Sequence, residues 1–209
     1  LKKGIAVTAI FAAITASLFI WPSALTVRGT GGWSTAGIEL LIFPVLIALV
    51  IWSSGLVVKL ARLMAKRQQA DRESRSPQVS LGIVIGAVLG IWWGGELRMH
   101  GFELAAARAE PMIKAIEEYT RDNGQPPRKL SALVPNYLDE LPPKLPPVEI
   151  VTESKKLEEY GNNPWALTAL VSRGLMNWDR FIYLPDQAYP ERGLGGAIEQ
   201  VKSWAYVHE

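Results

Sequence analysis

The sequence contains no cysteine, so it can form no disulfide, hold no thiolate-bound metal and use no cysteine nucleophile. Histidine is nearly as scarce: His100 and His208 are the two present, and neither stands at ligand spacing from another metal-binding side chain. Ser172, Ser203 and the scattered carboxylates compose no triad or dyad. Asp179 and Asp186 lack the spacing of a calcium loop and read as turn carboxylates. On these grounds no catalytic residue, cofactor or metal site is nominated. Basic residues form no run on a polar domain, which argues against a nucleic-acid partner.

What the sequence has instead is apolar length. Of its 209 residues, 49% are hydrophobic, a high share for a wholly soluble chain, and the excess lies in the first half. Residues 1–96 carry nine Lys/Arg against four Asp/Glu, a net charge of +5, while residues 97–209 carry thirteen against sixteen, a net charge of −3. That asymmetry separates a membrane domain (1–96) from an extracytoplasmic one (97–209).

Three apolar runs read as spans, at about 4–21, 40–58 and 80–95, each close to the roughly 20 residues needed to cross a bilayer. The first follows Lys2-Lys3 and should end at Pro22. A cleaved signal peptide shares its basic start, but the run exceeds the usual apolar centre of about 7–15 residues. Residues 22–36 then form a loop with Trp33 at the membrane interface. Pro44 should kink the second span. The segment 59–79 holds Lys59, Arg62, Lys66, Arg67, Arg72 and Arg75 against Asp71 and Glu73, and short loops so enriched in Lys/Arg stay in the cytoplasm. The expected topology therefore keeps the Lys2 end and the basic loop inside and sends residues after Glu96 outside. The lipid bilayer is the first partner this implies.

Gly82, Gly86, Gly90 and Gly94 recur at every fourth position of the third run, forming one helical stripe where a second helix can approach closely. That helix would come from the earlier spans or from another copy. Trp92-Trp93 suit the outward headgroup belt. Beyond them, Phe102, Ala106, Ala109, Ile113, Ile116 and Thr120 recur at steps of three and four, with Leu104, Ala105, Met112 and Tyr119 widening the face. This is a core-facing amphipathic helix. Pro111 should kink it or begin a new segment, and Asn123-Gly124 with Pro126-Pro127 should end it.

The turn YTRDNGQPP, with Tyr119, Asp122, Asn123, Gly124 and Pro127, resembles that of pilin-like proteins, especially the major pseudopilin of type II secretion systems, where a Y-x-x-D-N-G-x-Y-P turn follows the long helix. Pro126 here stands where the family has a second tyrosine. The following KLSALVPNYLDELPP is similar to the family's leucine-rich passage towards its sheet, and the resemblance covers about residues 97–143. Two apolar runs precede the helix here, whereas pilins have a single amino-terminal anchor. The resemblance implies a bacterial inner-membrane protein whose periplasmic or otherwise extracytoplasmic α+β domain packs a long helix on a small antiparallel sheet.

The strands of that sheet are expected in WALTALVS, RFIYL and VKSWAYVH, joined as a meander. Trp165, Trp178, Tyr183, Trp204 and Tyr206 are either core filling under a thin sheet or, for Trp178, Tyr183, Trp204 and Tyr206, a candidate binding surface. The leading functional expectation is a non-enzymatic envelope assembly or interaction protein linked to secretion or pilus machinery, with a protein partner or self-association through the third span. The alternative is a membrane-anchored sensory protein that binds a ligand on its aromatic sheet.

Overall fold

The computed structural model describes residues 2–34, 42–64, 76–172, 177–189 and 192–208. They form two compact units, residues 1–22 with 37–96 and residues 23–36 with 97–209. The passage 23–36 thus groups with the head, across the division at residue 96 expected from composition.

The first unit is helical, built from α1 (Lys2–Arg28) as far as Pro22, α2 (Ile42–Met64) and α3 (Ser76–Asn123) as far as Glu96. From Gly4 in α1 and from Gln78 in α3, the helices are long and apolar enough to cross a membrane; α2 carries a shorter apolar stretch, Pro44–Gly55. Two prolines behave differently from their sequence expectation. α1 does not stop at Pro22 but continues to Arg28, because a proline removes one backbone donor without abolishing the bonds on either side. It ends where Gly29 takes φ +70° and donates its N–H to Thr26 O at 3.0 Å, a left-handed cap open to glycine. Pro44 lies in the first turn of α2, where a helical N–H has no partner to lose, so it starts the helix.

α3 runs unbroken for 48 residues and passes through Pro111. Proline there frees the Ala107 carbonyl, and both residues lie on the exposed side of the helix, where water can satisfy it. The basic segment expected as a loop over 59–79 is shorter, since α2 reaches Met64 and α3 begins at Ser76; residues 65–75, with Lys66, Arg67, Arg72 and Arg75, lie outside the described residues.

The second unit packs the latter part of α3 on a six-stranded antiparallel sheet of order β1-β2-β3-β6-β5-β4. Its strands are β1 (Glu149–Val151), β2 (Ala166–Leu170), β3 (Arg180–Tyr183), β4 (Arg192–Gly193), β5 (Gly196–Val201) and β6 (Trp204–His208). The three strands expected from the sequence, β2, β3 and β6, are antiparallel neighbours in that order, but β1 extends the sheet beyond β2, and β4 and β5 come between β3 and β6 in the chain, so they are not joined as a simple meander. β4, β5 and β6 fold inward from the opposite edge, so that β6 pairs with β3, Phe181 opposite Tyr206. The stretch VKSWAYVH is not one strand, because Lys202 adopts φ +57° and the chain doubles back with Val201 paired to Trp204.

Both sheet faces are covered. Phe102, Ala105, Ala106, Ala109, Met112, Ile113 and Ile116 of α3 meet Leu167, Ala169, Phe181, Tyr183, Trp204 and Tyr206 in the main core. On the reverse face Ala166, Ile182, Leu184 and Val207 pack with Leu157 and Tyr160, from the short helical passage α4 (Ser154–Leu157) and the turn after it. Strand residues of both parities are therefore buried, which blurs the period-two pattern that a half-exposed sheet would give.

Candidate functional site

Gly82, Gly86 and Gly90 of α3 are buried and pressed against α1. A β-carbon on Gly82 would fall 2.4 Å from Thr8 O, one on Gly86 2.3 Å from Ala12 O, and one on Gly90 2.9 Å from Ala16 Cα. Only glycine permits backbones this close. Thr8 Oγ1 also donates to Gln78 O at 3.1 Å. Gly94 is buried as well. The contacts climb both helices together, from Thr8 to Ala16 on α1 as from Gly82 to Gly90 on α3, so the two run parallel. Away from this seam α1 presents Ile5, Ile10, Ile14 and Leu18, and α2 presents Leu46, Ile47 and Val50, all exposed. By register Trp21 stands near the level of Trp92 and Trp93; all three are exposed, and the latter two stack at 6.1 Å.

At the other end of α3 the turn residues converge on Tyr137. Gly124 has φ +73° and donates its N–H to Thr120 O at 2.8 Å, closing the helix. Asn123 Nδ2 donates to Tyr119 O at 2.9 Å and to Tyr137 Oη at 3.1 Å, and that hydroxyl donates to Asp122 Oδ2 at 3.3 Å. The Tyr119 and Tyr137 rings lie 5.3 Å apart, and Pro127 is buried.

The aromatic binding surface is corrected. Tyr183, Trp204 and Tyr206 are buried on the α3 side of the sheet, and only Trp178 is exposed. Alternation aims Trp204 and Tyr206 at α3, where Phe181 stacks on Trp204 at 4.6 Å and Phe102 meets Tyr206 edge-on at 5.0 Å. Such rings fill a core between small helix residues and cannot also face a ligand. Trp33, expected at the membrane interface, is buried in the head with its ring 5.5 Å from Phe102.

Composition and motif reading missed a buried polar cluster. Arg98 is 3% exposed; its Nη1 donates to Gly32 O at 2.9 Å, and its Nη2 to Trp33 O at 2.7 Å and to Val171 O. Its guanidinium carbon stands 5.1 Å from the Phe102 ring centre, within cation–π reach. Tyr206 Oη lies 3.5 Å from Nη2 and donates to Asp179 Oδ2 at 2.6 Å, with Asp179 itself fully buried. Burial pushes the Tyr206 hydroxyl up to about 12, with the bond to Asp179 acting the same way and Arg98 opposing. The signal was positional: Arg98 falls one turn before Phe102 on the apolar stripe, where a charge requires partners. Arg108 makes a second tie between segments, donating to Val27 O at 3.2 Å and Lys144 O at 3.3 Å.

Both histidines sit on the surface beside carboxylates, His100 with Glu103 and His208 with Glu199, each at 3.2 Å. Among the described residues no three His, Asp or Glu side chains gather as metal ligands. Asp186 accepts the Ala188 N–H at 3.0 Å, a turn role. The fold thus defines a class, an apolar helical module joined to an α+β head with a small antiparallel sheet. No known family model matches the chain, and no curated protein or solved structure is significantly similar to it.

Proposed function

We propose that the protein is a non-enzymatic assembly or interaction subunit of a bacterial inner membrane, with three spans and an extracytoplasmic pilin-like head. The observation that carries this reading is the single helix α3, which packs glycine-to-backbone on α1 at one end and forms the spine of the head at the other. The parallel course of α1 and α3 supports three spans, because chain joining two parallel spans must recross the bilayer. The 23-residue α2, about 34 Å long at a rise of about 1.5 Å per residue, matches a hydrocarbon core of about 30 Å. Lys2, Lys3 and the Lys/Arg-rich segment after α2 favour the cytoplasm for the end opposite the tryptophans.

The pilin-like reading draws on the left-handed Gly124 turn and on the helix laid across an antiparallel sheet. A non-enzymatic role agrees with the burial of Arg98, Asp179 and Tyr206, which leaves these polar groups out of reach of a substrate. The sensory alternative loses most of its surface, since three of its four aromatic residues are core.

Two measurements test the proposal. The chain has no cysteine, so single cysteines at Gln69 and Gln187 report sidedness: an impermeant thiol reagent added to spheroplasts should spare the first and label the second. The reverse pattern overturns the topology. Extracted from native membranes in mild detergent, the protein should migrate in a complex larger than its own protomer with bound detergent; a uniform free protomer overturns the assembly role.

A further inference from the structure

We infer that Asn123 is a self-modification site, where the side-chain amide is slowly exchanged for aspartyl and isoaspartyl linkages, and that the Tyr137 hydroxyl sets the rate by holding the turn closed. The inference stands apart from membrane anchoring and from the pilin-like reading. Asn123-Gly124 is the one Asn-Gly step in the sequence; the other asparagines precede Tyr137, Asn163, Pro164 and Trp178. Asparagine before glycine is the step most open to this chemistry, because glycine places no side chain between the attacking main-chain nitrogen and the amide carbon. The only co-reactant is water. The Gly124 nitrogen bonds to Cγ of Asn123, the Cγ–Nδ2 bond breaks, and Nδ2 leaves as ammonia with the proton that the Gly124 nitrogen gives up. The product is a five-membered imide. Water opens it at Cγ to give an aspartyl side chain on the original main chain, or at the main-chain carbonyl to give a chain that runs through the β-carbon. Both residues are exposed, and nothing lies within 4 Å of a β-carbon placed on Gly124, so the ring has room to form.

In the closed turn the reacting groups are engaged elsewhere. The Gly124 N–H is donated to Thr120 O at 2.8 Å, so the nitrogen keeps its proton. Asn123 Nδ2 donates to Tyr119 O at 2.9 Å and to Tyr137 Oη at 3.1 Å, which commits the amide to the preceding turn of α3. Asn123 is the last residue of that helix. Ring closure requires the Asn123-Gly124 peptide to rotate out of the helical arrangement, and that rotation breaks all three bonds. Local opening of a helix end needs far less free energy than unfolding of the core. Tyr137 is the partner from outside the helix. Its ring lies 5.3 Å from that of Tyr119, and its hydroxyl donates to Asp122 Oδ2 at 3.3 Å, so it ties the last turn of α3 to the segment beyond. Conversion loosens this tie for good. A carboxylate at position 123 has no donor for Tyr119 O, and with Asp122 it places two adjacent negative charges before one Tyr137 proton at the negative end of the helix.

The test incubates the full chain in mild detergent at mildly alkaline pH and follows position 123 by peptide mass spectrometry. Asn136, also exposed but followed by tyrosine, is the internal reference. Position 123 should convert at least about tenfold more slowly in the folded chain than in the chain unfolded by urea and denaturing detergent. Tyr137→Phe keeps the ring and removes the hydroxyl, and should speed conversion by about three- to tenfold, as expected for the loss of a neutral hydrogen bond. Tyr206→Phe removes a bond in the core of the head, away from the turn, and should leave the rate within about twofold. Equal rates in the folded and unfolded chain, or in the wild type and Tyr137→Phe, overturn the control by Tyr137. Equal acceleration by Tyr206→Phe overturns it too, since conversion then proceeds through global unfolding. Conversion at 123 no faster than at Asn136 in the unfolded chain overturns the modification site itself. Asn123→Asp, which supplies the aspartyl product directly, should lower the thermal midpoint of the full chain; an unchanged midpoint overturns the loosening of the turn.

Discussion

Leucine in place of Gly86 should pry α1 from α3. A β-carbon there would stand 2.3 Å from Ala12 O, 2.8 Å from Thr15 Cβ and 2.9 Å from Ala12 C, whereas carbon contacts are optimal near about 3.5 Å. Two of those neighbours are backbone atoms, which cannot rotate away, so even alanine requires a separation of about 1 Å. A gap of that size forfeits roughly a quarter to a half of the dispersion attraction across it, and overpacking of a close contact typically costs about 1–3 kcal/mol. Leucine carries three further carbons into the same seam and belongs at the upper end. Val88, 62% exposed on the outward side, should accept leucine within about 0.5 kcal/mol. The measurement is unfolding of the full chain in mixed micelles as the fraction of denaturing detergent rises. Because the glycines meet α1 of the same chain, Gly86→Leu should lower the midpoint without changing stoichiometry. Equal midpoints for Gly86→Leu and Val88→Leu would refute the steric reasoning.

Three further outcomes follow from the head. Gly124→Val should destabilise it by about 1–2 kcal/mol, the cost of a left-handed backbone for a residue with a β-carbon, and Gly124→Asn by less; nothing lies within 4 Å of the added carbon, so denaturant midpoints should separate the two at an unchanged m-value. Arg98→Met should cost about 3–5 kcal/mol, as for removing one member of a buried ionic cluster, whereas Tyr206→Phe, which deletes the 2.6 Å bond to Asp179, should cost about 1–3 kcal/mol; a chemical melt ranks them. The third concerns alkali: the Tyr206 hydroxyl is pushed up to about 12 in the fold from its ordinary value of 10.0, so the unfolded chain releases its proton first. Its contribution is whole below pH 10 and falls by about 2–3 kcal/mol as pH rises towards 12, with Tyr183 and Tyr189 shifted in the same direction; a tyrosinate signal that Tyr206→Phe removes from the still-folded protein near pH 10 would contradict this.

Local regularity made part of this architecture legible. Four-residue glycine spacing marked one face of α3, and steps of three and four marked the stripe that meets the sheet, because a helix turns such spacings into faces without help from the rest of the chain. Asn123-Gly124 marked the helix end for the same reason. What escaped depends on distant segments. The doubling back at Lys202 joins two stretches that read as one strand, and nothing local says that the β4–β5 hairpin will add to the sheet beyond β6. Trp33 looks interfacial until Phe102 supplies its partner. Arg98 left a trace, a charge on an apolar stripe, but its acceptors are main-chain carbonyls of Gly32, Trp33 and Val171, which composition cannot display.

The same helix meets two different surfaces by one device, small residues along its buried side. Against α1 these are Gly82, Gly86 and Gly90, and Gly101 lies against Thr26 where the head begins; against the sheet they are Ala105, Ala106, Ala109 and Ala115, all nearly without exposure. Glycine suits the first contact because the partner is helix backbone, and any side chain on α3 would hold the two chains apart. Alanine suits the second because the partner supplies the volume: Trp165, Phe181, Tyr183, Trp204 and Tyr206 stand up from the strands and fill the space that larger helix residues would otherwise occupy. Alanine also has the highest helix propensity and glycine among the lowest. The glycine half of α3 therefore relies on α1 to hold it straight, while the alanine half gains helical stability from its own sequence and lends it to the sheet. Arg98 lies between the two halves, after the last glycine of the stripe and before the first alanine of the core, where it binds the carbonyls of the turn that follows α1.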